Sequence, residues 1–223
     1  PRLWMLGRNR NSRVFQDMTV RDIVDRVLAE SHVVRRWSLS APCSLRGYCV
    51  QYQESDLTFL LRILADEGIF FHFEHPDDER AGEVIVFTDD AHLVGPIDGE
   101  PVLEAREGDA LSSHDDSVRR FRLRQEVRAG AVLLKDFDFI RPAHDLHAEA
   151  HVTSTPDAFD PARLRVYDHH GEIERSQLDT AVARLHLEQH RVRASVGVGE
   201  SRCRRLVPGQ WFELSGGPAS EHD

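Results

Sequence analysis

The chain has 223 residues, 40% of them apolar and 30% charged, and carries a formal net charge of −10. That length supports one large domain or two small ones with a substantial core. No run of eighteen apolar residues is present, which excludes a membrane-spanning helix, and the mixed charges lack the clustered Lys and Arg that a nucleic-acid grip needs.

In chain order, Leu3 to Leu6 reads as a strand and Arg8 to Asn11 as a turn. Thr19 stands three residues before Asp22, a capping-box spacing that satisfies orphan amides at a helix start. Ile23, Val24, Val27 and Leu28 then recur at helical spacing. Tyr48 to Gln53 alternates as a half-buried strand does. Ser55 is an N-cap for a second helix that ends near Glu67, with Gly68 as its stop. Leu57, Leu60, Leu61 and Leu64 form one stripe of this helix, with Phe59 and Ile63 on the far side, so it is expected to be sandwiched and to bury its leucines. Strands are predicted at 69–73 and 83–87, around a turn at 75–78, giving a helix–strand–turn–strand unit.

Residues 89–117 hold several Gly, Pro and Asp turn signals and read as mostly loop, with one short strand and the best candidate domain boundary. Phe121 to Arg128 alternates, Ala129-Gly130 reads as a turn, and Val132 to Phe139 is expected to return as a hairpin. A segment with Thr155-Pro156 and Asp160-Pro161 leads to a short strand, Leu164 to Tyr167. A third helix is predicted from Ile173 to Arg191, with Leu178, Ala181, Val182 and Leu185 facing inward. Two more strands, Ala194 to Arg202 and Gln210 to Leu214, flank Val207-Pro208-Gly209. The whole reads as α+β and β-rich, divided into 1–117 and 118–223, without an alternating parallel pattern.

Chemistry-bearing patterns are few. Cys43, Cys49 and Cys203 are a sparse, odd set, expected as reduced thiols, although Cys43 and Cys49 could pair. His144, His147 and His151 are spaced three and four apart, as metal ligands on one helix face would be, and are the candidates for a metal-dependent hydrolase. Their neighbours read as loop, no Cys or well-placed acid completes a set, and the expectation is no metal. His169-His170 point different ways, and His186 and His190 flank a buried stripe. Cys49 lies inside a strand, a poor place for an activated thiol. No Gly-x-Ser-x-Gly, Walker loop or dinucleotide fingerprint occurs, and Asp77-Asp78 and Asp89-Asp90 read as turn residues. No catalytic or cofactor-binding residue is assigned. Pro1 opens the chain without a signal-peptide pattern, and a start without Met suggests a piece of a longer polypeptide.

One segment goes further. Arg46 to Phe59, with Gln51-Tyr52 and Glu54-Ser55-Asp56, continues through Ala65-Asp66-Glu67-Gly68-Ile69 into Phe70 to Glu74. It closely resembles the signature block of the VgrG family, the trimeric spike of the bacterial type VI secretion system. Arg13 to Gln16 with Thr19, Val20 and Asp22 to Val24 resembles the helix upstream in that family. Lys135 to Phe139 with Arg141-Pro142 resembles its "DYDF..P" strand, and Val166-Tyr167-Asp168 with Gly171 its "YD..G" turn. Gly199 to Ser201 followed by Leu206 to Leu214 resembles "G.S...L.PG..F.L", while Gly217 replaces an expected His before Pro218.

The resemblance implies phage-hub-like antiparallel β-barrel domains with inserted helices, and a structural role without catalysis. It implies a homotrimer at the spike base that adapts a hexameric, Hcp-like tube and baseplate proteins to a needle. A PAAR-type tip and effectors would attach through further regions, and the oligonucleotide-fold and needle domains would lie outside this chain. A contractile phage tail hub is the alternative. The family's localisation would be the bacterial cytoplasm during assembly and then a target cell, whose membrane only the assembled spike meets. Tyr52, Ser55, Asp56, Leu60, Leu61, Leu64, Gly68, Asp136, Asp138, Pro208 and Gly209 are its expected structural signature.

Overall fold

Helix α2 (Val20–Glu30) begins where the capping box places it: Thr19 Oγ1 accepts from the Asp22 amide, and the Asp22 carboxylate accepts from the Thr19 amide. It ends with His32 at a positive φ and the Val33 amide donating to Leu28 O at 3.3 Å, a Schellman closure. The structure is a computed structural model and describes residues 1–76, 82–106, 116–138, 141–152, 163–169 and 180–216. The turn at Asp77-Asp78, the segment 155–161, His170, Gly171, the start of the third helix at Ile173, Leu178, Phe139 and Gly217 lie outside the described residues.

The chain divides into two compact units, each assembled from separated stretches of sequence. The first comprises residues 1–34, 41–70 and 126–194, the second 35–40, 71–125 and 195–223. Position 117/118 falls inside the second.

In the first unit, α1 (Arg2–Met5) occupies the stretch expected as a strand. Leu3 and Leu6 are both buried, and their spacing of three suits one helical face better than a pleat. Strands β1 (Arg10–Thr19) and β3 (Leu45–Ser55) pair antiparallel as a two-stranded sheet, with Phe15 opposite Cys49 and Val14 opposite Val50. Helix α3 (Asp56–Asp66) follows β3 directly, with Ser55 Oγ accepting from the Thr58 amide at 3.0 Å. Its inward face is Asp56, Phe59, Leu60, Ile63 and Leu64, and Phe59 stacks on Phe15 at 5.5 Å between ring centroids. Leu61 is 45% exposed, which corrects its assignment to the core. Rotation of the helix brings Phe59 and Ile63 inward in place of Leu57 and Leu61.

The remainder of this unit is the three-stranded sheet β10-β8-β9, formed by β8 (Ala131–Phe137), β9 (Asp145–His151) and β10 (Arg165–His169). Helix α4 (Thr180–Arg191) packs Ala183 and Leu187, with Val182 partly buried, on Val132, Leu134, Ala148 and Ala150. Ala181 is exposed and Leu185 only partly buried, so the fully buried positions are Ala183 and Leu187 in their place.

In the second unit, β2 (Arg35–Ser38), β5 (Val84–Thr88) and β4 (Phe70–Glu74) form the sheet β2-β5-β4, with Trp37 stacked on Phe87 at 4.5 Å. The other sheet has the order β11-β7-β6-β12, from β6 (Val102–Ala105), β7 (Ser117–Gln125), β11 (Ser195–Ser201) and β12 (Glu213–Ser215). Its covered side holds Ile97, Leu103, Val118 and Cys203. The expected β7–β8 hairpin does not form: β7 pairs with β11 and β6, and β8 with β9 and β10. Between them the Glu126 amide donates to Ala194 O and the Gly130 amide to Leu164 O, so Ala129-Gly130 carries the chain from one sheet to another. The fold is thus α+β and strand-rich, with inserted helices, and its sheets mix parallel and antiparallel pairs. Among the described residues no sheet closes into a barrel.

Two outcomes follow from these contacts. Leu60→Ala is expected to cost about 2–5 kcal/mol and Leu61→Ala no more than about 0.5 kcal/mol, read as urea unfolding free energies. Equal losses would contradict the helix orientation. The Asp22 carboxyl is held below its ordinary value of 3.8, first by the Thr19 hydroxyl and then by the Thr19 amide. A depressed carboxyl stabilises the fold above its unfolded pKa, and that stabilisation disappears as pH falls through the folded value. Thr19→Ala should therefore cost about 1 kcal/mol at neutral pH and progressively less below pH 3.8. A penalty that grows in acid would rule out this role for the box.

Candidate functional site

The sequence motifs converge on the junction of β3 and α3. Asp56 is 3% exposed and is the first residue of α3. Its carboxylate accepts from Asn11 Nδ2 at 2.9 Å, Gln51 Nε2 at 2.8 Å and Arg13 Nη2 at 3.2 Å, and its amide donates to Asn9 O at 3.1 Å. Arg13 also reaches Glu30 at 3.2 Å at the end of α2. A buried carboxylate is tolerated only when paired and hydrogen-bonded, and here the partners come from both strands of the β1–β3 sheet. At the far end of α3, Arg46 Nη1 and Nη2 bind Asp66 at 3.4 Å and Glu67 at 3.1 Å. Between the two ends, Arg62 Nη2 joins Glu54 at 2.6 Å and Val50 O at 2.9 Å. The strand and the helix that follows it are clasped along their whole length.

Most signature residues have jobs of this structural kind. Gly68 has φ +70, and its amide and that of Ile69 close the helix onto Ala65 O and Leu64 O. A Cβ at Gly68 would meet Leu185 Cδ1 at 2.3 Å. Asp136 accepts from the Phe137 amide at 2.7 Å, and buried Asp138 accepts both the Arg141 amide and its Nε at 2.9 Å. Pro208-Gly209 forms a turn closed by the Gln210 amide on Val207 O, with Gly209 at φ +88. A Cβ there would meet His72 Cβ at 2.4 Å.

Tyr52 is different. It is 71% exposed and projects from the outward face of the β1–β3 sheet, where Val14 and Tyr48 are also about half exposed. Alternation alone places it there: Gln51 points inward to Asp56, so Tyr52 points out. Nothing in the folding of its own unit accounts for an aromatic at this position.

The histidine candidates do not assemble. His144 sits in a turn before β9, while His147 and His151 share one face of β9. Four residues along a strand separate them by about 13 Å, too far for one ion, because a strand stretches the spacing that a helix would have closed. Each instead faces its own carboxylate, His147 with Asp145 and His151 with Glu149, both at 3.2 Å. No group of three potential metal ligands occurs among the described residues. Cys49 and Cys203 are buried, and Cys43 is half-buried. No described helix is long and apolar enough to cross a membrane.

The pattern of the phage tail baseplate hub (GPD) family matches residues 1–223. The type VI secretion system spike protein VgrG4b of Pseudomonas aeruginosa is 34% identical over 99% of this chain and 27% of its own length. Spike protein VgrG5 of the same organism is 34% identical over 99% of this chain and 28% of its own. The actin cross-linking toxin VgrG1 of Vibrio cholerae is 27% identical, with 96% of this chain matching 19% of that protein. The chain thus spans little more than a quarter of the length of the spike proteins it matches. Among solved structures, the E. coli c3393 protein, a component of the type VI secretion system, superposes with a TM-score of 0.61 at 24% identity. That match covers 98% of this chain and 45% of the other. The 43 kDa tail protein of prophage MuSo2 from Shewanella oneidensis gives 0.53 at 13% identity, over 90% of this chain and 54% of the other. These likenesses share the strand-rich α+β hub fold, and with a family pattern running through every residue the chain belongs to the phage tail baseplate hub family.

Proposed function

We propose that this chain forms part of the base of a trimeric type VI secretion spike, where it supports assembly and not catalysis. The observation that carries the reading is identity of 34% to a type VI spike protein over 99% of the chain, in a fold whose signature residues cap, turn and clasp. The outward aromatic face at Tyr52 and Tyr48 supports it, because exposed apolar surface of this kind suits contact with another subunit. In the proposed assembly three copies adapt a hexameric, Hcp-like tube and baseplate proteins below to a needle above. A PAAR-type tip and effectors join through other regions, and the assembled spike carries them from the bacterial cytoplasm into a target cell.

A contractile phage tail hub is the second reading, supported by the shared fold with a prophage tail protein. The far lower identity of that match, 13%, favours the secretion spike. The relative whose name describes an actin cross-linking toxin shares this region with proteins named as spikes, so we assign no cross-linking chemistry to it. The metal-hydrolase reading draws no support from His144, His147 and His151 as they are placed.

Light scattering after size exclusion, on the gene product that carries this chain, tests the proposal. A threefold mass is expected, since obligate assemblies of this kind bury large shared surfaces. A folded monomer at all concentrations would overturn it.

A further inference from the structure

Among the described residues β11 forms an edge of the sheet β11-β7-β6-β12, and all seven of its residues are exposed. Natural edge strands are usually blunted by charge, proline or bulges. The stretch Ser195-Val196-Gly197-Val198 has no charge and no proline. Its one irregularity, between Val198 and Glu200, lies beyond that stretch.

The neighbouring strand adds a second, independent feature. Register pairs Val196 with Arg124, Val198 with Arg122 and Glu200 with Arg119. Arg120, at φ +51, is the extra residue of the bulge. A bulge shifts the alternation by one, so Arg119 joins Arg122 and Arg124 on a single face while Val118 and Phe121 pack on the other. Arg120 pairs with Glu200 at 3.4 Å. Among the described residues, no hydrogen bond or ion pair engages the guanidinium groups of Arg119 and Arg122. In a chain of net charge −10, this face sets Arg119, Arg122 and Arg124 against Glu200 alone, beside the apolar pair Val196 and Val198 on a strand at the sheet edge.

We propose that this face and edge receive an extended acidic segment of a partner protein, added beside β11 as a further strand. Main-chain bonds to β11 would supply the affinity, and carboxylates on the segment would meet Arg119 and Arg122 across the apolar strip of Val196 and Val198. Backbone pairing demands an extended polypeptide, and the arginines select its charge. The proposal does not depend on the chain being trimeric.

The test uses the gene product carrying this chain and a short labelled peptide alternating glutamate and valine, with a lysine–valine peptide and single-stranded DNA as comparisons. Binding of the acidic peptide should slow hydrogen exchange of the β11 amides. Arg122→Glu and Arg119→Glu should each weaken it by about tenfold or more, with Arg122→Lys retaining it. Arg122→Gln, checked for folding by circular dichroism, gives the same reading if a charge reversal perturbs the strand. Equal binding of the lysine–valine peptide, unprotected β11 amides, or loss of the acidic peptide to DNA in competition would each overturn the proposal.

Discussion

The carboxylate of Asp56 is the constraint on which the first unit depends. Taking an ionised group out of water costs several kcal/mol unless partners surround it, and Asn11, Arg13 and Gln51 supply them from two different strands. Because Asp56 is also the first residue of α3, it sits where the helix dipole favours a negative charge. Fixing that residue inward fixes the rotation of the whole helix. Positions three, four, seven and eight residues later are then inward as well, and these are Phe59, Leu60, Ile63 and Leu64. The stacking of Phe59 on Phe15 and the outward turn of Leu61 both follow from it.

The same constraint sorts the two faces of the β1–β3 sheet. Polar groups that bind Asp56 lie on the covered side, Gln51 among them, fully buried. The alternate positions, Val14, Tyr48 and Tyr52, are therefore left outward. Phe15 and Cys49 share the covered side with these polar groups, so the sheet buries apolar and polar side chains together and still leaves aromatics in water. The outcome is a sheet with ionic clasps and Phe15 on its covered side and two tyrosines outside.

Much of this was legible in the sequence where local chemistry decides the outcome. Thr19 and Asp22, Ser55, Gly68 and Pro208-Gly209 each act through a neighbour a few residues away, and each forms the cap or turn its spacing suggested. The failures have a common cause, which is that the deciding partner is distant in sequence. Leu61 and Phe59 are both plausible core residues until Arg13, some forty positions earlier, settles which way Asp56 faces. The β7–β8 hairpin looked local, yet β7 found β11 and β8 found β10. His147 and His151 had helical spacing, but the pairing of β9 with β8 drew them apart. The arginine face of β7 was hidden for a similar reason, since strict alternation puts Arg119 on the wrong side and only the bulge at Arg120 returns it.

The most direct measurement is a double-mutant cycle on Asp56 and Arg13, comparing unfolding free energies of Asp56→Ala, Arg13→Ala and the pair. If the buried carboxylate organises the unit through Arg13, the two losses will be strongly non-additive, with a coupling of about 1–3 kcal/mol. Additive losses, within about 0.5 kcal/mol, would contradict the account and leave the orientation of α3 to its apolar residues alone.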